Sequence, residues 1–163
     1  MGMFPLIGIV FFAATTIPLM VIDFRERRLP NKITIPGYLL SLLGLVLTFE
    51  WSRVLTAVVI SALLFGIGTL ISLKGWIGMG DVKLVSGLSL LLAWFDPALV
   101  WQATLWSFGI ATAVVIVGFL AKKMTTRSSI ALGPYLLLGF WVVVIPPVWS
   151  SIARLALCRA VPW

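Results

Sequence analysis

Gly78-Met79-Gly80-Asp81-Val82-Lys83 opens an apolar run, Leu84 to Phe95, that is short for its surroundings. The run holds about 12 residues, roughly 18 Å of helix at ~1.5 Å per residue, against a hydrocarbon core of ~30 Å. Something must complete the span. The glycine-rich stretch from Gly75 to Asp81 lies just before it. Non-helical backbone at membrane depth is tolerated only when it is buried in protein or lines water. The stretch therefore reads as a short helix that begins inside the protein, at a hydrated cavity, with Asp81 in its first turn.

The runs on either side are longer. Met1 to Ile22, Ile33 to Phe49, Val54 to Leu73, Ala98 to Ala121 and Ser129 to Ser150 each approach the ~20 apolar residues of a spanning helix. With the short one they predict an all-α polytopic membrane protein of six transmembrane helices, in one membrane-embedded domain over residues 1–163. No strong internal repeat, long linker or low-complexity segment interrupts it. Composition agrees: 61% of residues are hydrophobic and 10% charged, where soluble domains run near ~45–50% and ~25%.

Charge placement predicts the orientation. Arg25, Arg27, Arg28 and Lys32 follow the first run, Lys74 and Lys83 the third, and Lys122, Lys123 and Arg127 the fifth. Only Arg53, Arg154 and Arg159 fall on the other side. The richer side is cytoplasmic by the positive-inside rule, which puts the N-terminus and C-terminus outside a plasma (inner) membrane. No basic residue precedes the first run, so it reads as an anchor rather than a signal peptide. The net charge of +7 reads as topology and contact with anionic lipid, not as a nucleic-acid surface.

The chain has no His and one Cys, Cys158. That excludes an internal disulfide, a Cys/His zinc site and any Ser-His or Cys-His nucleophile. No metal and no cofactor are expected, and Cys158 reads as an incidental tail residue. What remains for chemistry is acidic. Only five Asp and Glu are present, and two of them, Asp23 at the end of the first run and Asp81, fall on the predicted cytoplasmic side. An ionisable group beside the bilayer core is a functional hypothesis by default. The ordinary alternative is a pair of interfacial helix caps.

Two carboxyls in reach of one another share a proton. The ionised one can take a proton from water while the protonated one donates to a carbonyl oxygen, which is hydrolysis without a covalent intermediate. Gly78 and Gly80 would open backbone angles and let an extended substrate lie close, or simply punctuate the helix start. Lys83 either holds substrate and favours an ionised aspartate or snorkels to the interface as an anchor. Asn31, after Pro30, reads as the N-cap of the second helix. Asp96-Pro97 reads as an outer turn and helix start, and Glu50 as an outer loop charge. Trp51, Trp94, Trp141 and Trp149 read as an aromatic belt at helix ends and lipid-facing stretches. A small proton-coupled transporter and a non-catalytic secretion subunit remain as alternatives. Against transport, no acidic residue lies near the centre of the five long runs.

The wording around the aspartates resembles a known family. Asp23-Phe24-Arg25-Glu26-Arg27-Arg28-Leu29-Pro30-Asn31-Lys32-Ile33-Thr34 is similar to the first active-site block of the prepilin peptidases, or type IV leader peptidases. Gly78-Met79-Gly80-Asp81-Val82-Lys83-Leu84 resembles their Gly-x-Gly-Asp-x-Lys block. Ile130-Ala131-Leu132-Gly133-Pro134-Tyr135-Leu136 is similar to their Gly-Pro-Phe segment, with Tyr for Phe. The three come in family order and span most of the chain. The resemblance implies an intramembrane aspartic endopeptidase with catalytic Asp23 and Asp81, the latter within the Gly-x-Gly-Asp motif. It implies removal of a short basic leader from a prepilin or pseudopilin, just before its hydrophobic helix. Longer members carry paired Cys-x-x-Cys motifs and also methylate the new N-terminus. Without those cysteines, a peptidase-only form with no methyltransferase activity is expected. Which pilin is cut and the oligomeric state stay open.

Overall fold

The computed structural model describes residues 5–26, 29–75, 77–121 and 132–160, with side chains up to residue 148. Among the described residues six helices follow one another: α1 (Leu6–Glu26), α2 (Asn31–Val46), α3 (Trp51–Leu73), α4 (Met79–Phe95), α5 (Pro97–Leu120) and α6 (Gly133–Ala160). Among the described residues there is no strand. α1, α3 and α5 are long and apolar enough to cross a membrane, and α2 and Gly133–Val148 of α6 are shorter apolar helices. Outward faces stay apolar: Leu55, Leu63 and Leu70 of α3 and Trp101, Leu105 and Val117 of α5 are exposed. A surface of that kind belongs in lipid, and the chain is a membrane protein.

The short helix is the centre of the bundle. Eleven of the seventeen residues of α4 are buried, against three of twenty-three in α3. α4 packs on α2, α3, α5 and α6, while α1 packs on α2 and α6. Small residues line the seams between helices: Gly37 and Ser41 of α2 lie against α1, Ala103 and Ser107 of α5 against Gly139 of α6, and Ser61 of α3 against α4. In lipid, burial of apolar area does not drive helices together, so close backbone approach and interhelical hydrogen bonds do the work. Ser61 and Ser86 supply such bonds: the Ser61 hydroxyl donates to the Ser86 carbonyl at 2.9 Å and lies 2.9 Å from the Ser86 hydroxyl. Each such contact contributes roughly 0.6 kcal/mol.

Several boundaries differ from the sequence reading. α1 continues to Glu26, so Asp23 lies within its last turn rather than closing it. α2 ends at Val46, not Phe49, and Phe49 takes a left-handed φ of 57° in the turn to α3. α4 starts at Met79, with Gly78 extended (φ −68°, ψ 138°) at its N-cap. Helical turns through Gly80 and Asp81 therefore supply the length that the apolar run lacked, and Asp81 does sit in the first turn. α6 runs through Pro146 and Pro147 to Ala160, well past Ser150. Prolines are tolerated in such helices because neighbours re-satisfy the freed backbone groups.

At the far end of α4, Asp96 caps α5 by accepting from the Ala98 amide at 2.8 Å, as the Asp96-Pro97 turn predicts. Glu50 pairs with Arg53 at 3.0 Å. The aromatic belt holds only in part. Trp51 is exposed, but Trp94 is buried, its ring covered on one side by the Arg53 guanidinium at 5.7 Å. The Trp141 indole N–H donates to Thr16 at 2.9 Å, tying α6 to α1. The Trp149 and Cys158 side chains, and the loop cations Arg27, Arg28, Lys122, Lys123 and Arg127, lie outside the described residues.

Candidate active site

The last turn of α1 and the first turns of α2, α4 and α6 meet at one end of the bundle. Asp23, Leu29, Asn31, Gly78, Met79, Gly80, Asp81 and Lys83 line a cavity of about 440 Å³ there. All five residues singled out from sequence, Asp23, Gly78, Gly80, Asp81 and Lys83, are in that set. Residues 23 and 81 are brought together from helices that are not neighbours in the chain.

Asp23 is held hard. Its side chain is only 4% exposed, and its Oδ2 accepts the Gly133 amide proton at 3.0 Å. Gly133 is the first residue of α6, and the first amides of a helix have no partner within it. A carboxylate at that position satisfies one of them and sits at the positive end of the helix dipole. The bond fixes one oxygen and leaves the other for the cavity. Gly133 has to be glycine for this: a Cβ there would lie 2.6 Å from Asp23 Oδ2 and 3.1 Å from its Cγ.

Asp81 is more open, half-buried at the mouth of the cavity. A Cβ on Gly78 would lie 3.2 Å from Asp81 Oδ2, so the carboxylate folds back over the start of α4, and it lines the same cavity as Asp23. Two carboxyls in that relation hold one proton between them more readily than they hold two charges.

The glycines of the motif act differently from the sequence reading. Neither uses a left-handed backbone; among the described residues the one glycine with positive φ is Gly75. Gly80 is needed for close approach, but to this chain itself: a Cβ there would fall 2.9 Å from Leu29 Cβ and 3.2 Å from its amide nitrogen. The connection after α1 thus packs against the first turn of α4, and that contact brings Asp23 toward Asp81.

Asn31 was expected to cap α2. Pro30 occupies the N-cap instead, and no side chain caps the helix. With Asn31 one position inside, its side-chain oxygen faces α4 and accepts a hydrogen bond from Lys83 Nζ at 2.9 Å. Lys83 is therefore not simply an anchor turned to the interface: it ties α4 to α2 at the cavity rim. Gly133 and Asn31 are the site residues that sequence reasoning left out. Gly133 had a signal, since it belongs to the third block that resembled the family; Asn31 was noticed and given the wrong task.

No curated protein and no solved structure matches this chain. A sequence model of the type IV leader peptidase family matches residues 10–157, which take in both aspartates, both glycines of the motif, Lys83 and Gly133. With that match over most of its length, the chain belongs to the type IV leader peptidase family.

Proposed function

We propose that this chain is an intramembrane aspartic endopeptidase in which Asp23 and Asp81 are the catalytic pair. It crosses the plasma membrane six times with both termini outside. It removes the basic leader of a prepilin or pseudopilin at the cytoplasmic face. The observation that carries the reading is the placing of both carboxyls in one cavity, at one end of a bundle whose outer surface is apolar.

The chemistry follows from one proton shared by the pair. The ionised carboxyl takes a proton from a water molecule, whose oxygen bonds to the scissile carbonyl carbon. The protonated carboxyl gives its proton to the carbonyl oxygen. The tetrahedral diol then collapses, the C–N bond breaks, and the leaving nitrogen takes up a proton from the pair. The products are a leader with a new carboxylate and a mature chain with a new ammonium. The Gly133 amide holds Asp23 in place, and Asp81 lies against Gly78 at the start of α4. Lys83, tethered through Asn31, is a positioning residue at the rim. The chain assayed by itself is expected to hydrolyse and not to methylate.

A transport role lacks a path. All five acidic residues lie within one turn of a helix end or in a connection between helices, so no acidic relay crosses the apolar layer. The test is co-expression with a prepilin, read as loss of the leader on a gel. Asp23→Asn and Asp81→Asn should each leave the precursor uncut while the protein accumulates in the membrane at normal levels. Normal processing by either variant would reject the assignment.

A further inference from the structure

Two apolar grooves leave the carboxylate cavity, one on each side of α3, with α4 as the floor of both. One, of about 360 Å³, lies between α2 and α3, lined by Ile35, Tyr38, Leu39, Ala62 and Phe65, with Lys83 at its mouth. The other, of about 210 Å³, lies between α3 and α5, lined by Leu64, Ile67, Val85, Leu88, Thr104 and Phe108 among others, with Asp81 at its mouth. Volume favours the first. Both grooves share one residue with the cavity, Lys83 and Asp81 respectively, and charge favours the second.

We infer that the groove between α3 and α5 receives the apolar helix of the substrate, with that helix's N-terminal end at Asp81. The inference rests on the peptidase reading and adds to it the track on which the substrate lies. Asp81 borders both the cavity and this groove, so a chain cut at the carboxyl pair passes into the groove without a break. The wall offers no competing polar donors. The hydroxyls of Ser89, Thr104 and Ser107 already donate to the carbonyls of Ser86, Val100 and Ala103, at 2.7–2.9 Å.

The N-terminal end of a helix carries about half a positive charge, and hydrolysis adds a free ammonium at that end. A carboxylate at the mouth attracts both. Lys83 at the mouth of the other groove repels both, and suits instead the carboxylate left on the leader. The cavity therefore gives the substrate helix a direction: its N-terminal end at the carboxyl pair and its apolar length down between α3 and α5.

Disulfide trapping decides the matter. In a Cys158→Ser background carrying Asp23→Asn, single cysteines are placed by Ile67→Cys, Thr104→Cys and Leu39→Cys. The probe is a full-length prepilin with one cysteine in the first two turns of its apolar helix, oxidised in membranes. Crosslinks are expected from positions 67 and 104 and not from 39. A crosslink from 39 in their place, equal yields from all three, or none at any position would overturn the inference. As a second measurement, Thr104→Trp in the active protein should raise KM for the prepilin about tenfold, as expected for a filled apolar pocket. Leu39→Trp should stay within twofold, and the reverse order would overturn the inference. Cleavage by the Asp23→Asn protein would count against the peptidase reading instead, and the crosslink pattern would still identify the groove.

Discussion

Replacing Gly133 with alanine adds one carbon and should disable the enzyme. A Cβ at this position would lie 2.6 Å from Asp23 Oδ2, where ordinary contact begins near 3.4 Å. The carboxylate must retreat by about 0.8 Å or α6 must shift by as much. Leu29 Cδ1, 3.5 Å from the same Cβ, leaves little room to one side. A misplacement of ~1 Å in a catalytic group costs roughly 10²-fold in rate. The prediction is a fall in kcat of about 30- to 100-fold with KM changed by less than about threefold, since Gly133 touches Asp23 and no part of the proposed substrate track.

Weakening the amide–carboxylate bond should also lower stability by about 1.5–3 kcal/mol, the range for a hydrogen bond to a charged group. The assay is steady-state prepilin cleavage by purified protein in detergent, alongside thermal unfolding. Gly66→Ala is the control: nothing lies within 4 Å of a Cβ there, and a helical Gly→Ala change is neutral or stabilising by about 0.5–1 kcal/mol. Wild-type kcat in Gly133→Ala would show that the position of the Asp23 carboxylate does not matter, and would refute the reasoning.

Gly80→Val should separate Leu29 from α4, destabilising the protein by about 1–3 kcal/mol as overpacking does and lowering cleavage more than Gly66→Ala; unfolding and cleavage measured together check it. Lys83→Met removes the 2.9 Å bond to Asn31. Because that bond is solvent-exposed, the stability loss should stay below about 1 kcal/mol, while kcat falls and Asn31→Ala reproduces the fall. The pH–rate profile should be a bell. Acid protonates both carboxyls and removes the base; alkali ionises both and removes the acid. A rate that rises monotonically to high pH would contradict a shared proton.

Much of this site was legible because its parts are local in sequence. A twelve-residue apolar run after Gly-x-Gly-Asp left too little length for a span, and the missing turn had to include Asp81. What could not be read was which helix faces meet. Lipid and protein interior are equally apolar, so a membrane helix shows little difference between its sides. Trp94 looked like a belt residue for that reason, and only packing shows it buried beneath Arg53. The small residues Ala103, Ser107 and Ala111 on α5 were the available sign of a buried face and went unused. The Gly133–Asp23 bond joins residues 110 apart; no local rule reaches that far. Asn31 was misassigned because Pro30 fits an extended N-cap equally well, which frees the asparagine side chain for Lys83.

Whether the two carboxyls work as one unit is tested by comparing cleavage rates of Asp23→Asn, Asp81→Asn and the double variant under identical conditions, with folding checked for each. Groups that act together are non-additive, so removing either should cost about as much as removing both. The account predicts at least a roughly 10³-fold loss in each single variant and no further loss in the double. A single variant that keeps a tenth of the rate, or losses that multiply in the double, would contradict it.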